Sequence, residues 1–241
     1  MGKEHVTNLF LDFESFQRQQ SLFKTAYHLQ GVDSMNIGKG LFDRKIEEVK
    51  IPYDDITAKG TVARHLLSML PEEIEVPIII VCIGTDRSTG DSLGPLIGTF
   101  LKEKGKSPFH IYGTLEDPIH AVNLEEKLQT INNTYDHPFI IGIDACLGKL
   151  KSVGMIQIGD GPVKPGAGVK KELPFVGNMH ITGIVNVSGF MEFFVLQNTR
   201  LHLVLNMAKT IADGIYRASL SYRYQHSLLK LKWSENQENT I

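Results

Sequence analysis

The run Val-Pro-Ile-Ile-Ile-Val-Cys-Ile, residues 76–83, constrains the fold more than any other segment of the chain. It is continuously apolar, without the polar alternation of a strand that faces water on one side, and far too short to span a bilayer. A run of this kind is a strand covered on both faces, as in a parallel sheet packed between helices. The flanking periodicity agrees. Val62, Leu66, Met69 and Leu70 share one face of a helix predicted over Ile56–Leu70, which Pro71 closes. Leu93, Leu96, Ile97, Phe100 and Leu101 predict a second helix over Ser92–Lys104.

Further along, Phe109–Tyr112 reads as a short strand, and Asn123-Leu-Glu-Glu as an N-cap with a glutamate three positions on, opening a helix to Ile131. Residues 138–143 read as a second buried strand and Val153–Ile158 as a third. Leu201, Val204, Leu205, Ala208, Ile211, Ala212 and Ile215 recur at helical spacing. Strands alternating with helices imply an α/β domain with a mostly parallel sheet, over residues 56–224. Before it, residues 1–55 read as an N-terminal arm, helical in part through Phe10, Phe13, Phe16, Leu22 and Phe23 and interrupted by the glycine-rich stretch Gly31–Gly40. After it, residues 225–241 read as a polar tail that frays.

Composition bounds the function. With 42% hydrophobic and 22% charged residues in 241, the chain is an ordinary globular one. A formal net charge of −2 excludes a strong general attraction to nucleic acid. Cys82 and Cys146 sit in apolar surroundings and read as reduced, buried thiols. No secretory signal or membrane span is evident, and Gly2 lacks the following Ser or Thr of a myristoylation site, so a cytosolic protein is expected.

In open α/β sheets, sites form beyond the carboxyl ends of the strands. Two aspartates fall there. Asp91 lies in Gly84-Thr-Asp-Arg-Ser-Thr-Gly-Asp-Ser-Leu-Gly-Pro95, a loop from a buried strand into a helix. A phosphate-binding loop would need Gly-Lys-Ser/Thr, but Gly90 is followed by an acid that would repel phosphate. An aspartate there also suits a plain N-cap. Asp144 follows the strand in Ile-Asp-Ala-Cys, and equally suits a turn bonded to its own backbone. On neighbouring parallel strands the two would lie about 5 Å apart. They could then share a proton, one acting as acid and the other as base, or hold a cation. His180, in Gly-Asn-Met-His-Ile-Thr-Gly, would complete a set with Asp91 and Asp144 for a borderline divalent metal such as nickel or zinc; the alternative is a histidine satisfied by nearby backbone. The glycine-rich segment 159–168 could wall a substrate cleft or form surface turns. Asp86, Arg87, Asp117 and His120 are further candidates by position alone.

Three ordered motifs carry a family resemblance over roughly residues 56–222: Gly-Thr-Asp-Arg-Ser-Thr-Gly-Asp-Ser-Leu-Gly-Pro, Ile-Asp-Ala-Cys and Pro-Gly-Ala-Gly-Val-Lys-Lys-Glu. They resemble the Thr-Pro-Asp-Ala-Leu-Gly-Pro loop, Ile-Asp-Ala strand end and Pro-Gly-Ser-Gly-Val segment of bacterial germination proteases. They are closer still to those of the YyaC-type sporulation proteins. The resemblance implies a three-layer α/β/α sandwich shared with hydrogenase-maturation proteases. It also implies an endopeptidase acting on a protein substrate such as a small acid-soluble spore protein, in the forespore or spore core. Asp91 and Asp144 match the catalytic aspartates of the germination proteases, and Gly84, Thr85, Asp86, Gly90, Gly166 and Gly168 fall in the loops that would hold substrate. In the hydrogenase-maturation family the matching acids and a histidine resembling His180 bind nickel. The chain departs from these families at Thr85-Asp86, where Gly-Asn is usual, and at Gly90, where the germination proteases carry proline. The expectation is thus a two-aspartate hydrolase without a cofactor. The alternatives are a nickel- or zinc-dependent or metal-sensing peptidase, and a non-catalytic factor that binds a protein partner in an inherited cleft.

Overall fold

The computed structural model describes residues 48–73, 75–166 and 173–238. Contacts divide the chain into Met1–Arg44 and Lys45–Ile241, and all described residues belong to the second unit. The helix expected around Phe10–Phe23, the glycine-rich stretch 31–40 and Gly168 lie outside the described residues.

The elements in chain order are β1 (Val49–Pro52), α1 (Ala58–Met69), β2 (Ile78–Cys82), α2 (Leu93–Glu103), β3 (His110–Tyr112), α3 (Leu124–Thr134), β4 (Phe139–Gly148), β5 (Met155–Asp160), β6 (Met179–Val187), α4 (Glu192–Gln197) and α5 (Leu201–Glu238). A 3₁₀ turn, Leu150–Ser152, links β4 to β5. The strands form one sheet in the order β1-β5-β6-β4-β2-β3. The pairs β3–β2, β2–β4 and β4–β6 are parallel, and β5 runs antiparallel to both β6 and β1. Five strands therefore point one way and β5 against them.

Both faces of the sheet carry a core, but unequal ones. On one face Ile78, Ile80, Cys82, Ile141, Ile143, Ile156, Ile158 and Ile181 pack against α1, α2 and α5. Helix α5 meets them with Val204, Met207, Ala208, Ile211, Ala212 and Ile215, the three-and-four spacing of a buried stripe. On the other face Ile79, Val81, Ile83 and Ile140 pack against Leu124 and Ile131 of α3 and against Val163, Leu173 and Val176 from the loop after β5. The expected α/β/α layering is present, with the second helical layer confined to the β2–β3–β4 side of the sheet.

Several boundaries differ from the sequence reading, each for a tertiary reason. Residues 49–52, read as part of the arm, form an edge strand whose Ile51 is buried against the main core. β4 does not stop at Ile143; it continues through Asp144 to Gly148 because β6 runs on beside it. β6 itself was not foreseen, its apolar positions 179, 181 and 184 being broken by His180, Thr182 and Gly183. The polar tail does not fray at residue 225, since the α5 backbone stays helical to Glu238. Asn123 is the N-cap of α3, but its side chain makes no capping bond; Oδ1 accepts from the His120 N–H at 2.8 Å and Nδ2 donates to the Pro118 carbonyl at 3.0 Å.

Candidate functional site

β2 and β4 are parallel neighbours, with Ile79–Cys82 paired to Ile140–Ile143. Asp144 is therefore one residue beyond the last paired position of β4, and the loop carrying Asp91 leaves the matching end of β2. That loop is folded back by its own backbone: the Thr85 N–H donates to the Asp91 carbonyl at 3.1 Å, and the Gly84 N–H to the Ile119 carbonyl at 2.7 Å. Gly84 has φ +146°, and a Cβ there would collide with the Asp91 carbonyl oxygen, so the return of the loop over its own start requires glycine. Ser92, not Asp91, is the N-cap of α2. Asp144 lies within a strand rather than a turn. Asp91 is therefore not the N-cap, while Asp144 does bond its own backbone, accepting from the Ala145 N–H at 2.8 Å, but within a strand.

The two carboxyl groups are half-buried and close enough to interact. Burial raises the pKa of Asp91; the Ser88 hydroxyl, buried and without a hydrogen bond of full geometry among the described residues, stands beside the carboxylate and opposes the rise. Burial raises Asp144 well above the ordinary carboxylate range, the Ala145 N–H bonded to its Oδ1 at 2.8 Å opposes this, and the charge on Asp91 raises it further. Burial thus makes both carboxyls resist ionisation, Asp144 the more strongly. Two neighbouring acids raised to different extents can divide the roles of proton donor and acceptor.

Partnered residues of adjacent strands share a sheet face. Asp144 pairs with Thr182, and Gly142 with His180, so His180 stands on the same face as Asp144, one pair back. Its ring does not turn toward β4. It lies across Gly159 of β5, where a Cβ would meet Cε1 at 2.8 Å, and Nδ1 is 2.9 Å from the Gly161 carbonyl. Donation to that carbonyl puts the proton of the neutral ring on Nδ1 and leaves Nε2 with a lone pair. Among the described residues no three His, Cys, Asp or Glu side chains are grouped to hold a metal ion. The Asp91–Asp144–His180 set is therefore not assembled in this arrangement, because the backbone of the β5–β6 loop holds the imidazole aside.

The loop residues divide. Thr85 is half-buried and braces the loop, its Oγ1 accepting from the Arg87 N–H at 3.3 Å, while Asp86 and Arg87 are exposed. Gly90 is buried against α4: its N–H donates to the Leu196 carbonyl at 2.9 Å, and a Cβ would meet Leu196 Cδ2 at 2.7 Å. The amides of Gly84, Thr85 and Gly90 are thus already engaged and cannot serve as oxyanion donors. Gly166, with φ +117°, is half-buried in the loop after β5. Asp117 pairs with Lys127 at 2.9 Å, and His120 Nδ1 accepts from the Val122 N–H at 3.3 Å, so both act locally around the start of α3.

One neighbour was not singled out from sequence. Cys146, two residues beyond Asp144 on the same strand, is a half-buried free thiol whose Sγ is 3.9 Å from Gln157 Oε1. Burial first, opposed by the Thr182 hydroxyl and reinforced by the charges on Asp144 and Glu48, pushes it up to about 11, so it stays a thiol rather than a nucleophilic thiolate. The i, i+2 spacing of Asp144 and Cys146 would have signalled a shared face had β4 been extended past Ile143.

A mostly parallel sheet with helices on both faces and two interacting carboxyls at the carboxyl ends of neighbouring strands defines an α/β protein with a sheet-edge acid pair. The chain belongs to the family described as "Protein of unknown function (DUF1256)", whose model matches residues 50–214. It is 57% identical over 183 residues to "Uncharacterized protein YyaC" of Bacillus subtilis (strain 168), covering 75% of this chain and 89% of that protein. Among solved structures it is similar to a [NiFe] hydrogenase maturation protease, HycI, from Thermococcus kodakarensis KOD1, at 18% identity and a TM-score of 0.42, over 64% of this chain and 97% of that one. No described helix is long and apolar enough to cross a membrane.

Proposed function

We propose that this protein hydrolyses peptide bonds in a protein substrate with Asp91 and Asp144. The observation that carries the reading is that the pairing of parallel β2 and β4 ends with the Asp91 loop leaving one and Asp144 following the last paired position of the other, where burial raises both carboxyls. Asp144 donates its proton to the scissile carbonyl oxygen while carboxylate Asp91 takes a proton from the attacking water. On collapse of the gem-diol intermediate Asp91 gives its proton to the departing amine and Asp144 takes back the proton of the hydroxyl that becomes the carbonyl, so one water is consumed and both acids are restored. With the Gly84, Thr85 and Gly90 amides engaged elsewhere, the protonated Asp144 is a donor for the developing oxyanion.

By the motif resemblance, small acid-soluble spore proteins are the first substrates to try, and the forespore the compartment. Intact-mass analysis of such a protein incubated with the wild type should show discrete fragments. Asp144→Asn and Asp91→Asn should each lose at least about 10²-fold in rate, the usual share of general acid–base catalysis. Undiminished cleavage by either variant would overturn the assignment. A tight complex with intact partner, indifferent to Asp144→Asn, would point instead to a binding factor.

A metal-bearing form of the same reading is favoured only by His180, which shares the face of Asp144 and keeps Nε2 free of a hydrogen bond to described residues. It requires the ring to leave the Gly161 carbonyl and swing toward β4. Elemental analysis of protein purified without chelator tests it: stoichiometric zinc or nickel that disappears in His180→Ala would establish that rearrangement.

A further inference from the structure

We propose that the row Lys50–Gln157–Thr182–Asp144 is a substrate subsite that binds an extended peptide bearing a carboxylate, anchored by the Lys50 ammonium. This rests on the hydrolase reading and names a substrate feature beside the cut bond. Lys50 stands opposite Gln157, Gln157 opposite Thr182, and Thr182 opposite Asp144. The four side chains therefore project from one face of four successive strands, in a line running from the edge of the sheet to the acid pair.

The fold does not account for this line. On the opposite face the same strands carry Ile51, Ile156, Ile158 and Ile181, none more than 5% exposed. On the face of the row, the apolar cluster draws on β2, β4, α3 and the loop after β5, and on no residue of β1, β5 or β6. On that face β6 carries buried Thr182 and Ile184, the latter packed over Gly148, whereas β1 and β5 present exposed Lys50 and half-buried Gln157 where an ordinary sandwich would continue an apolar cover.

The row has hydrogen-bonding capacity to spare. Gln157 receives the Cys146 thiol on Oε1 and donates from Nε2 to Glu48. A carboxamide offers two N–H groups and two lone pairs, so one of each is left for the amides of a bound chain. Glu48, two residues before Lys50, is tied to Gln157, whereas Lys50 is exposed and makes no ion pair among the described residues. Lys50 is thus the unpaired charge at the outer end of the row.

Length then sets a register. Three strand spacings of about 4.8 Å make a row of about 14 Å. An extended chain advancing about 3.5 Å per residue covers that in about four residues. The carboxylate, whether an Asp or Glu side chain or the carboxyl terminus of the substrate, stands about four residues from the scissile bond.

The test uses the full chain carrying Asp144→Asn, so that binding is read without cleavage. The probes are fluorescein-labelled ten-residue peptides of Ala, Ser and Leu, amidated, with one Glu moved through every position, beside an uncharged parent and its free-acid form. One Glu position, or the free terminus alone, should tighten binding over the parent by up to about fivefold, the range of an exposed ion pair. The gain should vanish in Lys50→Ala, and in Lys50→Glu pass to a Lys at that same position. Which probe responds tells a side-chain carboxylate from a chain terminus. Equal affinity across the series, or a carboxylate preference that survives Lys50→Glu, would overturn the subsite. Because the readout is binding, a protein that passes this test but cleaves nothing sinks the hydrolase reading and leaves the subsite standing.

Discussion

Asp144 sits where burial and a neighbouring charge act in the same direction, with only the Ala145 N–H opposing them. A carboxyl whose folded pKa is raised contributes its full stability below the unfolded value, about 3.9, and that contribution is lost as pH rises toward the folded value. Asn at 144 keeps an oxygen for the Ala145 N–H and cannot ionise. Thermal unfolding of Asp144→Asn beside the wild type, from about pH 4 to pH 8, should therefore show a melting-temperature difference that moves in favour of the variant as pH rises. A difference that stays constant over that range would mean that the folded state does not resist ionisation of Asp144. Activity that uses Asp144 as acid and Asp91 as base should follow a bell-shaped pH profile, read as rate against pH.

At the scale of elements, the site depends on how closely α2 and β6 approach their neighbours. Gly94, in the first turn of α2, lies against the backbone of Ile83, and a Cβ there would collide with the Ile83 carbonyl oxygen. Gly183 of β6 faces Leu93 Cδ2 and Met207 Sδ, the far ends of flexible side chains. Backbone cannot yield as side chains can, so Gly94→Ala should destabilise the protein by about 3 kcal/mol, the upper end of overpacking costs, and Gly183→Ala by about 1 kcal/mol. Urea denaturation measures both; equal costs would show that α2 can slide off β2 without penalty. Gly84→Ala belongs with Gly94→Ala, since the collision is with the Asp91 carbonyl in the loop that carries the acid. It should cost at least as much stability as Gly94→Ala in the same urea titration, because the contact is again with backbone and φ is positive.

Across the whole molecule, Asp213 of α5 joins three helices on the large-core face. It accepts from Lys59 of α1 and from Lys104 at the end of α2, both at 2.5 Å. Burial raises the Asp213 pKa, but the two lysines together outweigh it and hold the carboxyl below its ordinary value. Stability from a depressed carboxyl is present above the unfolded value, about 3.9, and is lost as pH falls through the folded one. Because the lysines are partly exposed, Asp213→Asn should cost no more than about 1 kcal/mol at neutral pH and low salt. The cost should shrink in high salt and begin to fall below about pH 4, vanishing only below the depressed folded value. Paired urea titrations at two ionic strengths and two pH values check this, and a cost unchanged by either would assign the effect to packing.

Much of this architecture was legible in the linear chain, and the division follows a physical line. The fully buried β2 showed itself because a strand covered on both faces needs no polar residue. Helices α1, α2 and α5 showed themselves because one buried stripe imposes a period of 3.6. Asp91 and Asp144 stood out as acids at the ends of apolar runs, an expense the core does not ask for. What stayed hidden depended on partners distant in sequence. β6 alternates apolar residues toward the main core with His180 and Thr182 on the other face, a pattern that is a strand only beside β4 and β5. The continuation of β4 through Asp144 exists because β6 pairs with it. The position of His180, turned to the Gly161 carbonyl and away from the acids, was decided by a loop backbone, which carries no side-chain signature. The sequence by itself determined which residues could do chemistry and at which end of the sheet. Only the tertiary structure decided which of them share a face, because strand order and register bring together residues that no local period relates.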